Sequence, residues 1–380
     1  MKVLNVNSFL DSKTGGGTAE RTFQMSRHLS LSGVECTVLT TNTEFLDEAR
    51  ILKMKPATII ALPLLVKRFF VPIISWKKIR NLVNSVDIIH LMGHWSFLNS
   101  LVYLAARSLN KPYVVCPAGA LAIFGRSKLI KKIYNLILGN ALIHNASGWI
   151  AITKAELKDF KDYGIDTKKV KVIVNGVSEK DFLNNIPETK FRNKYQLSEL
   201  PIILFMGRLN AIKGPDLLLE AFGMIQNDIK KYQLVFAGQD EGMKSILVDK
   251  AKKYNISERT SFLGFINGRE KTTAYKSAKL LVIPSRKEAM SIVALEAGIC
   301  GTTVMLTDQC GFDEIKKINK RLEVKASISG IADGLKYFLN EQNTIDRLAG
   351  SFHALVIKKY TWNSLITKYI KMYSEILISK

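Results

Sequence analysis

Two glutamates eight positions apart, Glu288 and Glu296, bracket the stretch "EAMSIVALE", whose other residues are small or apolar. Carboxylates enter such surroundings only with partners. Upstream, "KLLVIPS" reads as a buried parallel strand ended by Pro284 and Ser285. Downstream, "SIVALEAGICG" has helical composition and closes on glycine. Glu288 is therefore expected in the loop at the carboxyl end of a strand. Glu296 is expected about two turns along the next helix, with Ser291 as its cap and the free helix N–H groups facing the same crevice. The plainer alternative is one solvated loop glutamate and one on a helix surface.

Three further clusters lie where strands should give way to helices. "FMGRLNAIKGPDLLLEA" places Arg208 and Lys213 before a helix, where two cations complement a diphosphate or simply face solvent. "DSKTGGGTAERT" follows the first strand; Gly15, Gly16 and Gly17 let backbone N–H groups approach a phosphate. Their spacing is neither G-x-G-x-x-G nor a Walker A loop, and an ordinary turn explains them equally well. In "DIIHLMGHWSF", His90 falls within a strand and reads as core. His94 comes just past the strand end, placed either to donate a hydrogen bond to a substrate or to pack on Trp95.

The elements that must position these residues alternate regularly. In the first half the expected strands are "KVLNVNS", "ECTVLT", "DIIHL", "YVVCP", "WIAIT" and "KVIV"; in the second, "PIILFMG", "YQLVFAG", "TSFLG", "KLLVIP" and "TVMLT". Helical patterns such as "AERTFQMSRHLSLSG" and "GMKSILVDKAKKYN" separate them. The fold class is α/β, two Rossmann-like domains facing across a cleft, with ligands beyond the carboxyl ends of the strands. The boundaries read as an N-terminal domain 1–176, a polar linker 177–199, a C-terminal domain 200–358 and a terminal helix 359–380 able to return to the first domain.

A chain of 380 residues is long for one core and fits two. The nearest approach to a membrane span, "IIALPLLVKRFFVPIISW", is interrupted by Lys67, Arg68 and two prolines. The amino terminus reads as a strand and loop rather than a signal peptide. Cys36, Cys116, Cys300 and Cys310 have no metal-ligand spacing and fit reduced thiols of a cytoplasmic protein. The net charge is +22. From Arg50 to Lys154 fifteen Lys or Arg stand against one acid, Asp87, a local excess of +14. Such a field attracts nucleic acid or an anionic membrane surface.

Taken together, "VIVNGVSEKDF", "FMGRLNAIKGPDLLLEAF", "LVFAGQDEG", "VIPSRKEAMSIVALEAGICGTTVMLTDQCGFDEI" and the glycine loop after the first strand resemble glycosyltransferase family 4, retaining enzymes of the GT-B fold. The likeness runs over nearly the whole chain and is strongest over residues 171–315. It implies that Arg208 and Lys213 hold the diphosphate of a nucleotide sugar, which is a donor substrate rather than a cofactor. It implies that Glu296 binds the ribose and Glu288 the donor sugar. N–H groups near Ser291 and Ile292 would bond the phosphate, and Gly16 and Gly17 would close over it from the first domain. The chain departs from the family in two places. Met290 and Ser291 stand where many members have Phe-Gly, and Met92 stands at the second position of the usual His-x-His, with His94 two residues later to supply the donor contact.

No D-x-D motif follows a strand, so no metal site is expected. The resemblance suggests same-face attack by the acceptor hydroxyl, the leaving phosphate taking its proton. The alternatives are a nucleotide-sugar epimerase of the same shape, a glycosidase using Glu288 and Glu296 as acid and base, and a nucleic-acid-binding protein, for which no module is present. Basic and aromatic residues alternate in "VKRFFVPIISWKKIRNLV" and "GRSKLIKKIYNLIL". These segments suit an interfacial site. A peripheral enzyme on the inner face of the plasma membrane is expected, acting on a lipid-linked glycan in lipopolysaccharide or capsule synthesis without nucleic acid.

Overall fold

The structure is a computed structural model and describes residues 1–43, 46, 48–66, 70–123 and 127–379. The chain forms two compact units: Met1–Gly176 with Trp362–Lys380, and Val177–Thr361.

Unit 1 is built on a parallel sheet. Its strands are β1 (Lys2–Val6), β2 (Glu35–Thr41), β3 (Thr58–Leu62), β6 (Ile88–Met92), β7 (Tyr113–Cys116), β8 (Gly148–Ala151) and β9 (Val170–Val172), in the order β3-β2-β1-β6-β7-β8-β9. A small antiparallel hairpin, β4 (Leu64–Val66) and β5 (Val71–Pro72), stands apart from it. All five residues of β6 are buried, as short apolar runs must be when helices cover both faces. β3 and the hairpin come from a stretch to which the sequence pattern assigned no strand.

The helix Trp362–Ile378 completes this unit. Trp362, Tyr369 and Tyr373 are buried on it. The buried Arg21, on the helix Ser12–Leu31, donates to the Asn175 side chain (2.8 Å), to the Ile173 carbonyl (2.6 Å) and to the Tyr369 hydroxyl. A guanidinium is tolerated in such a place when most of its donors are taken; here both Nη atoms are engaged, while Nε has no partner among the described residues.

Unit 2 holds β10 (Ile202–Met206), β11 (Gln233–Ala237), β12 (Thr260–Gly264), β13 (Ala278–Ile283), β14 (Val304–Thr307) and β15 (Glu323–Val324). They form one parallel sheet in the order β12-β11-β10-β13-β14-β15. Residues 177–199, expected as a linker, belong to this unit. They carry the helix Glu188–Lys194, whose Phe191 and Arg192 are buried. The terminal helix expected from residue 359 begins at Trp362; the residues before it form a separate helix, Gln342–Tyr360, of unit 2.

Each sheet reverses its winding once, between β1 and β6 in unit 1 and between β10 and β13 in unit 2. At such a switch point the connections leave to opposite faces of the sheet, opening a crevice at the strands' carboxyl ends. Every candidate residue read from the sequence lies just beyond one of these two points.

Candidate active site

In unit 2 the loop after β10 carries Arg208 and Lys213, and the loop after β13 carries Glu288. Gly214 precedes the helix Pro215–Met224 with φ +66°, and a Cβ there would stand 2.2 Å from the Pro284 carbonyl oxygen. Only glycine permits this approach of the two loops. Arg286 fastens them. Its guanidinium grips both oxygens of Asp216 (2.9 and 2.6 Å) and the Ala211 carbonyl (2.7 Å), while its amide donates to the Ile212 carbonyl (2.8 Å).

The result is an ion pair between Lys213 Nζ and Glu288 Oε1 at 2.9 Å, both largely buried. Ser285 donates to the other Glu288 oxygen at 3.0 Å, and the Glu288 amide donates to the Gln309 carbonyl at 2.8 Å. Arg208 is half-exposed and gives Nη1 to Glu241 at 2.8 Å. The lysine and arginine proposed for a diphosphate are thus both brought to the switch point, each facing a carboxylate.

The helix Ile292–Ile299 begins directly after this loop, with Ser291 at its N-cap position. The capping expectation fails: the Ser291 side chain makes no capping bond, and its buried hydroxyl has no partner among the described residues. The first amides of the helix lack intrahelical acceptors. Glu296 sits just over one turn inside the helix, not two as expected, because the loop is extended as far as Ser291. It is 5 % exposed and held by two donors from the helix Gly268–Ser277, Lys271 Nζ and the Tyr275 hydroxyl, each at 2.6 Å. Burial beside this carboxylate lifts the Tyr275 phenol well above its usual range. Burial also pushes the nearby thiols of Cys300 and Cys310 to about 12, which leaves them unreactive.

Gly16, Gly17 and His94 lie at the switch point of unit 1. The glycine stretch is not an open loop. Helix begins at Ser12 and breaks at Gly16 (φ 53°, ψ −136°) before continuing to Leu31. The space around Gly16 is open, so its positive φ, not crowding, demands glycine. Ser8 and Ser96 join the loops after β1 and β6 through their hydroxyls at 2.7 Å. His94 is buried, edge-on to Trp95, Tyr134 and Tyr163. Its Nε2 meets Asn135 Oδ1 at 2.9 Å, and burial lowers its pKa to about 4. The ring is therefore neutral at pH 7, with its proton on Nε2 and Nδ1 left as an acceptor. The expected donation to a substrate does not fit this geometry, since the single N–H is already used.

Glu241, Asn210, Lys271, Tyr275, Arg286 and Asp216 were not foreseen as site residues. Glu241 alone carried a legible signal, an acidic residue just beyond the strand "LVFAG" that neighbours β10.

Two parallel sheets, each wound about its own switch point, with paired cations and carboxylates at one of them, define a two-sheet fold of the GT-B type. Anabaena HepE, solved with UDP and glucose, has the same fold, with a TM-score of 0.80 over 99 % of this chain and 100 % of that one at 17 % identity. The profile of glycosyl transferases group 1 matches residues 187–350, and that of glycosyltransferase family 4 matches residues 15–181. An uncharacterised glycosyltransferase of Methanocaldococcus jannaschii is 32 % identical over 211 residues, 54 % of each chain. A protein from the cps region of Klebsiella pneumoniae is 26 % identical over 310 residues, 77 % of this chain and 80 % of that one. The chain spans about half the length of the first curated relatives it matches. It belongs to the group 1/family 4 glycosyltransferases.

Proposed function

We propose that this protein is a retaining glycosyltransferase that moves a sugar from a nucleotide-diphosphate sugar to a hydroxyl of a lipid-linked glycan, in the assembly of a lipopolysaccharide or capsule. The observation that carries the donor half is the convergence of Arg208, Lys213 and the amino end of the helix Ile292–Ile299 at one switch point. Cations and oriented amides in that position stabilise charge developing on a departing β-phosphate. Glu296, immobilised by Lys271 and Tyr275, retains lone pairs for the ribose hydroxyls. Glu288 accepts from the donor sugar while Lys213 turns to the phosphate. Gly16 and Gly17, at the switch point of unit 1, carry amides of the kind that bond a phosphate. His94 contributes only an acceptor, or the packing of its loop. The acceptor hydroxyl attacks from the face the leaving group departs, and the phosphate oxygen takes its proton. The UDP and glucose bound by HepE and the cps location of the Klebsiella relative agree with this chemistry in kind.

The membrane half rests on the helical run formed by Lys128–Tyr134, Asn135–Gly139 and Asn140–His144. Leu129, Ile130, Ile133, Leu136 and Ile137 are exposed on it, Leu136 by 83 %, beside Lys128 and Lys132. An apolar surface with a cationic border fits an anionic bilayer. Trp76 and Ile73 are exposed in the other expected segment; Lys67, Arg68, Phe69 and Arg126 lie outside the described residues. Among the described residues no helix is long and apolar enough to cross a membrane.

The test is calorimetry with UDP, GDP and ADP, followed by turnover with the matching sugar nucleotides. Arg208→Ala and Lys213→Ala should each weaken the preferred nucleoside diphosphate at least tenfold. Unchanged binding in both variants would refute the donor-site assignment.

A further inference from the structure

The loops after β10 and β11 are joined more firmly than two solvated loops need to be. Leu209 donates its amide to the Gln239 carbonyl (2.8 Å), and Glu241 returns one to the Leu209 carbonyl (3.1 Å). Asp240, between them, accepts three successive amides on one oxygen, from Gly242 (2.9 Å), Met243 (2.9 Å) and Lys244 (3.0 Å). Those bonds hold its carboxyl below the usual range, so the turn stays locked at any ordinary pH. The turn projects Glu241 onto Arg208: Oε1 accepts from Nη1 at 2.8 Å, and Oε2 accepts from Asn210 Nδ2 at 2.6 Å. Asn210 is itself bound to the other phosphate-side cation, because its Oδ1 accepts the Lys213 amide at 3.0 Å. A carboxylate is therefore built into the place where the donor diphosphate is read to bind.

Such a pair contributes little to stability, since both side chains are more than a third exposed. Its geometry matters for the ligand instead. A carboxylate and a phosphate present similar oxygen pairs to the guanidinium fork and compete for the same N–H groups. Lys213 faces the same situation with Glu288, but Glu288 has a sugar to turn to. Glu241 has no such second task in the donor reading.

We propose that Glu241 is a displaceable counter-ion that occupies Arg208 in the empty site, lowers the affinity of the site for the nucleoside diphosphate and so favours release of that product. The proposal rests on the reading that Arg208 holds the diphosphate. The released nucleotide carries more charge on its β-phosphate than the sugar nucleotide does, so a neighbouring carboxylate repels the product more than the substrate. The bias has the direction a transferase needs, because binding energy spent on the product slows turnover.

The test is calorimetry on the full chain with UDP, GDP and ADP, taking the tightest of the three as the probe. Glu241→Gln keeps the size and the bond from Asn210 and removes the charge. It should bind the nucleoside diphosphate about threefold to tenfold tighter, the scale of one like charge removed from a solvated phosphate site. The corresponding sugar nucleotide should gain less. In an Arg208→Ala background the same substitution should give a clearly smaller gain, since only the direct repulsion of the phosphate remains. Binding that is unchanged or weaker in Glu241→Gln means that Glu241 merely orients Arg208, and overturns the proposal. A gain that is just as large without Arg208 overturns it too. If Arg208→Ala alone leaves nucleotide binding intact, it is the underlying donor assignment that falls.

Discussion

Replacing Tyr275 by phenylalanine isolates one buried bond. The ring is fully enclosed, so phenylalanine fills the same space and opens no cavity. What is lost is the hydroxyl bond to Glu296 at 2.6 Å. A hydrogen bond to an ionised group contributes about 1.5–3 kcal/mol when buried. Glu296 then has only Lys271 to balance it in a site 5 % exposed, which places the expected loss near the middle of that range, about 2 kcal/mol. With a urea m-value of about 2 kcal/mol per molar, the midpoint for unit 2 falls by about 1 M. The tryptophans provide an internal control. Trp76, Trp95, Trp149 and Trp362 all belong to unit 1, so their fluorescence reports on that unit and not on the altered one. Native-state hydrogen exchange across the helix Gly268–Ser277 should show the loss, and the tryptophan transition should not move. Nucleoside diphosphate affinity should fall about threefold to tenfold, because the carboxylate proposed to meet the ribose is no longer oriented. A stability change under about 0.5 kcal/mol would mean that the Tyr275–Glu296 bond is not formed as described.

Three other outcomes are expected. Burial raises the Glu156 carboxyl from 4.5 to about 7, against the opposing bond from the Ile152 amide. A carboxyl raised in the folded state contributes fully below the unfolded pKa and loses that contribution as pH rises through about 7, at most about 3 kcal/mol in all. Glu156→Gln should therefore flatten the decline of unit 1 stability between about pH 5 and 8, followed by tryptophan fluorescence in urea; an unaltered slope would refute the assignment. His90 and His94, lowered by burial to about 3 and about 4, act in the opposite sense and remove stability as pH falls below 6.5. On the membrane side, the chain should co-sediment with anionic vesicles, less so as salt rises, and the triple change of Lys128, Lys131 and Lys132 to glutamate should reduce binding by at least tenfold. Equal binding to neutral vesicles would defeat the electrostatic part of the reading.

The expected strands are all present because each is a short apolar run with turn residues at its ends, a pattern that survives without knowledge of neighbours. β3 escaped notice because Thr58–Leu62 merges into an apolar stretch broken by Pro63, Lys67 and Arg68. The helix Glu188–Lys194 is mostly polar, and its two buried residues, Phe191 and Arg192, do not make a periodic face by themselves. Glu296 was placed a turn too deep because composition does not mark where the loop through Met290 gives way to helix. Arg208, Lys213, Glu288 and Glu296 were legible as charged residues beside strand ends. Their partners were not. Lys271 and Tyr275 lie 25 and 21 positions from Glu296, and Glu241 lies 33 from Arg208. Only the strand order brings such residues together.

The terminal helix has a consequence for how the molecule is made. A ribosome delivers Tyr369 348 residues after Arg21, yet the two share one buried bond. Every residue of unit 2 has emerged before Trp362 appears. Unit 1 is therefore started before unit 2 and finished after it. Until Trp362–Lys380 has been released, the side of its sheet that buries Arg21 lacks its cover, and the guanidinium lacks one of its acceptors. A nascent chain is expected to hold a completed second unit while its amino-terminal unit still needs protection from aggregation. Removing Trp362–Lys380 should cost Met1–Gly176 its fold.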